Sequence, residues 1–121
     1  MTKDINYDNI IKLINTNICI YLKFFYKQKD YTKLIEKIIL VVNTCLEKCD
    51  KFNIIINCEN YNILETDIDF IKHLIEFLQN TYKDKLQYMY FVNYNKFIKT
   101  LYNTMKKNID PDTVPKIIFS N

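Results

Sequence analysis

The sequence predicts an α/β fold, a single small layered domain in which a mainly parallel sheet of four strands is flanked by helices. Its 121 residues, 49% of them hydrophobic, suit one ordinary domain. Short apolar runs typical of strands alternate with longer stretches at helical spacing, the pattern of a sheet with crossover helices. No linker, repeat or low-complexity segment interrupts this order, so residues 1–121 are interpreted as one unit.

Four elements are predicted in the first half of the chain. Asp4 to Thr16 predicts a short leading helix, and Ile18 to Tyr26 a strand with apolar residues on both faces. From Tyr31 to about Cys49 the apolar residues recur at helical spacing. The apolar run Phe52 to Cys58 predicts a strand that is buried on both faces and lies near the centre of the sheet.

Four more elements are predicted in the second half. Thr66 resembles the first residue of a capping box, which predicts a helix from Asp67 to about Thr81. Leu86 to Asn93 predicts a strand, Lys96 to Lys107 an amphipathic helix, and Lys116 to Ser120 a final strand. The expected order is α-β-α-β-α-β-α-β.

Side-chain directions are also predicted for two of these elements. Strict alternation in the third strand puts one set of residues on a common face: Leu86, Tyr88, Tyr90 and Val92. The apolar stripe of the last helix is expected to face inward: Phe97, Ile98, Leu101, Tyr102 and Met105.

Composition excludes several classes of enzyme. The chain contains no Gly, no Arg and a single Ser, whereas phosphate-binding loops, dinucleotide-binding turns and the nucleophile elbow of serine hydrolases need Gly at fixed positions. The one histidine, His73, is expected to face water. We therefore predict that the protein is not an enzyme and needs no cofactor. Ile, Lys, Asn and Tyr make up more than half of the chain, as in a low-GC genome such as that of an intracellular parasite or a large DNA virus.

The four cysteines lie among apolar residues, with no secretory signal before them: Cys19, Cys45, Cys49 and Cys58. This predicts a reducing, cytoplasmic location. Cys45 and Cys49 are one helical turn apart and could bind zinc together with Cys58 and His73. Packing in the core is the preferred reading because this spacing is poor for a structural zinc site. The longest apolar run is far shorter than the roughly 20 residues that span a bilayer.

One helix offers a candidate binding surface. Its lysines lie with Asn103 on the side opposite the apolar stripe and form a strip about 15 Å long: Lys96, Lys99, Lys106 and Lys107. This basic strip could contact anionic lipid headgroups or an acidic partner, or it could be an ordinary solvated face. The net charge of +3 demands no polyanion, and the lack of Arg argues against nucleic acid.

The second half of the chain resembles the CRAL-TRIO domain, the family of lipid-transfer and lipid-sensing proteins. Phe52 to Asn60 matches the family's buried strand and turn, and Gln79 to Tyr82 the close of the following helix. Leu86 to Phe97 is similar to the family's strand-to-helix segment. The most specific block is Ile109 to Ile118, which leaves one helix and returns through a Lys-Ile pair into a strand. The first strand and helix fit the family's order.

Departures from the family pattern shape the functional hypothesis. Asn57 and Asn60 replace an acidic residue and a Gly, and no Pro precedes Lys96. The leading helical lobe and the gate region of the lipid-transfer members are not found either. The resemblance therefore implies a truncated, minimal domain. An anti-sigma-factor-antagonist fold is the alternative architecture, but it normally places a Ser at the start of a helix.

Two functions are weighed on this basis. The first is a non-enzymatic module for protein interaction or self-association, with Lys116 to Ser120 as an edge strand that a second copy could cover. The second is binding of a lipid or phosphoinositide at a membrane surface, with apolar side chains of the first strand and of the helix Lys96 to Lys107 lining a cleft. An apolar cleft larger than about 300 Å³ would favour the lipid.

Overall fold

A computed structural model describes residues 7–24, 31–59 and 68–120 of the chain. Five strands form one sheet: β1 (Ile11–Ile14), β2 (Asn17–Tyr21), β3 (Phe52–Asn57), β4 (Leu86–Val92) and β5 (Ile117–Ser120). The α-helices are α1 (Tyr7–Ile10), α2 (Thr32–Leu46), α3 (Ile68–Thr81) and α4 (Lys96–Met105). Short 3₁₀ helices span Leu22–Phe24, Lys106–Asn108 and Val114–Lys116.

The strands lie in the sheet in the order of the chain, β1-β2-β3-β4-β5. The β1–β2 pair is antiparallel and the other three pairs are parallel. Every crossover from β2 onward steps to the next strand in the same direction, and right-handed crossovers then place α2, α3 and α4 on the same face of the sheet. The fold class is confirmed as α/β, with a mainly parallel sheet covered by one layer of helices.

The predicted leading helix is wrong from Ile11 onward, and its first residues, 4–6, lie outside the described part of the chain. The described helix α1 is Tyr7–Ile10, and the chain then enters β1, where Ile11 pairs with Ile20 of β2. Asn15 in the turn has φ = 57°, a left-handed conformation that Asn tolerates well. This hairpin adds a fifth strand to the four predicted. A four-residue segment with three apolar residues fits a helix or a strand equally well, and pairing along β2 decides between them.

The other boundaries are close to the predictions. The strand β2 ends at Tyr21 and continues as a 3₁₀ turn, so the predicted strand is too long, and residues 25–30 lie outside the described part of the chain. The proposed cap Thr66 also lies outside it. The helix α4 ends at Met105, and a 3₁₀ turn carries Lys106 and Lys107.

The core lies between the sheet and the helix layer. In the central strand β3, Phe52, Ile54 and Ile56 are buried beneath the helices, whereas Ile55 and its neighbours on the other face are only half-buried. The central position of this strand is confirmed, but it is fully buried on one face rather than two. Helix and strand residues join in one continuous hydrophobic cluster.

A bulge in β4 changes its side-chain alternation. Phe52 pairs with Leu86, but the next residue of β3, Asn53, pairs with Tyr88, so Gln87 is an extra residue in the strand. Leu86 therefore lies on the helix-covered face, while Tyr88 is 38% exposed. The predicted common face of Leu86 and Tyr88 is wrong because strict alternation does not survive an inserted residue.

The helix α4 begins with a side-chain cap. The Oδ1 atom of Asn95 accepts a hydrogen bond from the Ile98 backbone N–H at 2.9 Å. Tyr102 and Met105 are buried with Ile98, as predicted, but Phe97 is 36% exposed and does not face inward. Phe97 lies at the border of the apolar stripe of α4, where neighbouring residues differ in whether they face the core or solvent.

Candidate functional site

An apolar cleft of about 470 Å³ lies between α2 and α3. Its walls are mainly aliphatic and aromatic, with polar groups at the rim: Tyr31, Ile35, Ile39 and Phe70 on the walls, Glu36 and His73 at the rim. The cleft is larger than the roughly 300 Å³ at the lower end of ligand pockets.

The walls of the cleft are fixed by packing at the start of both helices. The Tyr31 and Phe70 rings lie 4.4 Å apart at an interplanar angle of 33°, which ties the beginning of α2 to α3. The Ile35 N–H donates to the Tyr31 carbonyl at 3.0 Å in the first turn of α2. Phe70 is buried in the core cluster, so the cleft has a rigid floor.

The predicted lining of the cleft by the first strand and α4 is wrong, because the cleft lies between α2 and α3. The helix α2 nevertheless carries a signal for it. Ile39 and Leu40 lie outside the buried stripe of α2, and Leu40 is 60% exposed. Aliphatic residues on the outer side of a helix are the visible sign of an uncovered apolar surface. The wall of the cleft that α3 supplies could not be predicted in this way. The apolar pattern of one helix does not show which other helix packs beside it.

The predicted basic strip is exposed along its whole length: Lys96, Lys99, Lys106 and Lys107. The Nζ atom of Lys99 lies 4.7 Å from the ring centroid of Phe119 and 5.7 Å from that of Tyr94. Lysine over aromatic faces is held by a cation–π attraction. The middle of the strip is therefore anchored to β5.

The cleft and the basic strip lie on different elements of the helix layer. The helices α2, α3 and α4 follow one another across the same face of the sheet, and packed helices are about 8–10 Å apart. Rim residue His73 is exposed on α3, as predicted. Lys96 and Lys99 are exposed on α4, and Lys106 and Lys107 are exposed on the 3₁₀ turn that follows it.

The other face of the sheet is not covered by α2, α3 or α4. A row of side chains crosses four strands here: Cys19, Ile55, Tyr90 and Ile118. Next to this row, the Asn53 Nδ2 donates to the Asn17 Oδ1 at 3.0 Å, while the Asn53 Oδ1 is buried and has no hydrogen-bond partner. The strand β5 ends the sheet order, and its outer edge faces no other strand within the described residues.

The cysteine thiols are free in the described structure, and their burial suits packing better than nucleophilic chemistry. Burial raises the pKa of the Cys58 thiol to about 12 and raises the pKa of Cys19 as well. Within residues 7–24, 31–59 and 68–120, no three His, Cys, Asp or Glu side chains cluster as metal ligands. The zinc set that includes His73 is thus not assembled.

Fold and cleft together define a small α/β domain with a mainly parallel sheet and an apolar cleft between two of its helices. The model of the CRAL/TRIO domain family matches residues 11–121, and the chain belongs to this family. The resemblance found in the second half therefore extends through the first strand and helix. The family classically binds lipophilic ligands.

Solved structures give the same assignment of fold. The crystal structure of Sfh5 matches with a TM-score of 0.72 at 18% sequence identity, over 91% of this chain and 48% of that one. The chain thus spans about half of the length of Sfh5. A comparison with curated proteins finds no match. In the part of the chain that is described, every helix is too short or too polar to cross a bilayer.

Proposed function

We propose that this domain is a non-enzymatic module that binds a lipophilic ligand in the cleft between α2 and α3. The cleft carries the proposal, because it combines apolar walls with a volume that accommodates a small ligand. Family membership supports the same class of ligand. Removing an acyl chain from water is favourable by about 0.8 kcal/mol per buried CH₂. A short buried segment of chain is therefore sufficient for measurable affinity.

The basic strip extends this proposal to the membrane from which the ligand comes. A lysine near an anionic bilayer contributes about 1 kcal/mol. The proposal requires that the four exposed lysines and the mouth of the cleft meet the same bilayer. A bilayer bound by the strip would therefore face the cleft and allow a lipid to pass between them. This attraction weakens as salt rises.

A matched pair of variants tests the cleft. Ile39→Asp places a carboxylate on the cleft wall, whereas Leu40→Asp places one on the next residue, outside the cleft. We expect Ile39→Asp to weaken binding of a fluorescent fatty-acid probe about tenfold or more, since a buried aliphatic side chain contributes about 1.5–3 kcal/mol. Leu40→Asp should bind as the unsubstituted protein does. Equal affinity of both variants would exclude this cleft, and no probe binding at all would exclude the function.

Liposome sedimentation tests the strip. Replacing all four lysines by Gln should abolish binding to vesicles that contain anionic lipid, and raising the salt concentration should have the same effect on the unsubstituted protein. The fatty-acid probe should still bind, because the strip does not line the cleft. If the variant sediments with the vesicles as the unsubstituted protein does, the strip is not the membrane-binding surface. The proposal for the cleft would not be affected by that result.

Self-association is the second candidate, and the position of β5 favours it. Its outer edge offers backbone groups to a strand from another chain. Two copies paired through Ile117–Ser120 would form one continuous sheet. Light scattering tests this proposal: a dimer at high micromolar concentration would support it, and a monomer there would count against it.

A further inference from the structure

Two thiols share a second pocket, at the end of α2 far from the cleft. The pocket has a volume of about 450 Å³ and lies between this helix end and the β1–β2 turn at Asn15 and Thr16. Cys45 and Cys49 line it together with Lys48. No part of the proposed lipid-binding function uses these residues.

The two cysteines are held one helical turn apart. The Cys49 N–H donates to the Cys45 carbonyl at 3.1 Å, so helical geometry continues past the last residue of α2. Cys45 is 3% exposed and Cys49 is half-buried, and both can be reached from the pocket. Burial raises the pKa of the Cys45 thiol, and the adjacent Cys49 raises it further by its charge and by a side-chain hydrogen bond.

This spacing suits a bridging atom better than a disulfide. Residues one turn apart have Cβ atoms about 5–6 Å from each other, whereas a disulfide requires about 3.5–4.5 Å. A direct bond between the sulfurs would therefore distort the end of α2. A metal ion with bonds to sulfur of about 2.3 Å spans the gap without moving the backbone.

The donor set selects the type of ion. Two sulfurs converge here, and the described residues add no third His, Cys, Asp or Glu to them, so the four ligands of a structural zinc site are not present. The Thr44 hydroxyl donates to the Leu40 carbonyl at 2.9 Å, and Lys48 has no acceptor to offer a metal. Thiolate sulfurs are the ligands that select monovalent copper.

We propose that Cys45 and Cys49 form a dithiol site that binds one monovalent, thiophilic metal ion of the Cu(I) class. Binding replaces two S–H bonds by two metal–sulfur bonds and releases two protons, with no change in the oxidation state of metal or sulfur. The complex carries one net negative charge, and the ammonium group of Lys48 on the same pocket wall favours it.

Competition with a coloured Cu(I) chelator tests the site. The reduced full chain is titrated without oxygen, and one ion per chain is expected. Cys49→Ser should lower the affinity for Cu(I) about 100-fold or more. Once one sulfur holds the ion, the other sulfur binds it at a high effective concentration, and the variant loses this gain. Cys58→Ser is the matched control, since Cys58 is a buried thiol remote from the pocket, and it should keep the affinity of the unsubstituted chain. Melting curves establish that both variants are folded.

Alkylation gives a second measurement on the unsubstituted chain, which does not depend on the folding of a variant. Cu(I) should protect Cys49, the more exposed thiol of the pair, from iodoacetamide, as read by mass spectrometry of its peptide. Equal Cu(I) affinity of the chain and of Cys49→Ser, or alkylation of Cys49 unchanged by Cu(I), would overturn the proposal. Quantitative formation of a Cys45–Cys49 disulfide by diamide without loss of helicity would also overturn it, because the sulfurs would then be within direct bonding distance.

Discussion

Phe119 connects α4 to the edge of the sheet, and its replacement by Ala should cost more stability than its half-buried position alone suggests. Its ring stacks on Phe91 at 4.9 Å and on Tyr102 at 5.0 Å, and meets the edge of Tyr94 at 5.0 Å. The Lys99 ammonium lies 4.7 Å above the same ring. One side chain thus connects β4, α4 and the basic strip.

The expected loss is about 3.5 kcal/mol. Truncation of a fully buried Phe costs about 3–5 kcal/mol, and Phe119 is half-buried, which reduces that figure to about 2. Each favourable ring pair adds about 0.5–1.5 kcal/mol beyond burial, so the three pairs add about 1.5 kcal/mol at the lower end of that range. For a domain of this size, with about 6–18 kcal/mol of total stability, such a loss is a large fraction.

Urea unfolding followed by circular dichroism measures this loss. The matched control is Ile118→Ala, at the neighbouring half-buried position on the opposite face of β5, which takes no part in the ring cluster of Phe119. A loss of about 1 kcal/mol is expected. Phe119→Leu keeps the bulk without the ring and should lie between the two. A loss below about 1 kcal/mol for Phe119→Ala would refute the view that this ring cluster holds α4 in place.

Three further predictions concern other contacts. Gln79→Leu should cost about 1–3 kcal/mol in urea unfolding, because Gln79 is 6% exposed and its Oε1 accepts the Asp110 N–H at 3.2 Å; a smaller loss would show that this bond is dispensable. Asn95→Ala should cost about 1 kcal/mol through loss of the α4 cap, and Asn95→Gly only a few tenths. Burial raises the pKa of the Cys58 thiol to about 12 from 9.0, so the folded state favours the protonated thiol. The contribution of this thiol to the free energy of unfolding is therefore complete below pH 9 and is lost as pH rises from 9 to 12. The stability advantage of the unsubstituted chain over Cys58→Ala should therefore shrink by up to about 1.4 kcal/mol per pH unit in that range, and parallel pH profiles would contradict this.

Much of the layered fold could be predicted from periodicity. The segments that became α2, β3, α3, α4 and β5 were located to within a few residues, because each carries a long apolar stripe or a continuous apolar run. The family resemblance rested on blocks in these same segments. Local pattern and final structure agree where the apolar pattern is pronounced, even in the four residues of β5.

The errors arose where a contact distant in the chain decides the outcome. The segment Ile11–Ile14 is a strand because β2 returns beside it after a two-residue turn. The bulge at Gln87 exists because Asn53 pairs with Tyr88, and neither residue marks the irregularity in its own sequence. Pairing across the sheet overrides local pattern in both cases.

The candidate site was predicted less well than the fold. The basic strip was found because it lies on one helix, and its exposure is as expected. The cleft was missed because it needs two helices, with Ile39 on one and Phe70 on the other. The thiol pair Cys45 and Cys49 was recognised as one turn apart, but the pocket beside it depends on the hairpin turn that was not predicted.

The sheet and the layer of helices are held together by different kinds of interaction. Backbone hydrogen bonds join the strands directly to one another, and no helix takes part in these ladders. A helix that slides or tilts on this platform gives up side-chain contacts alone, while the sheet beneath keeps its hydrogen bonds. Any adjustment of α2 or α3 to a bound ligand would thus be confined to the layer of helices and leave the sheet as a fixed base.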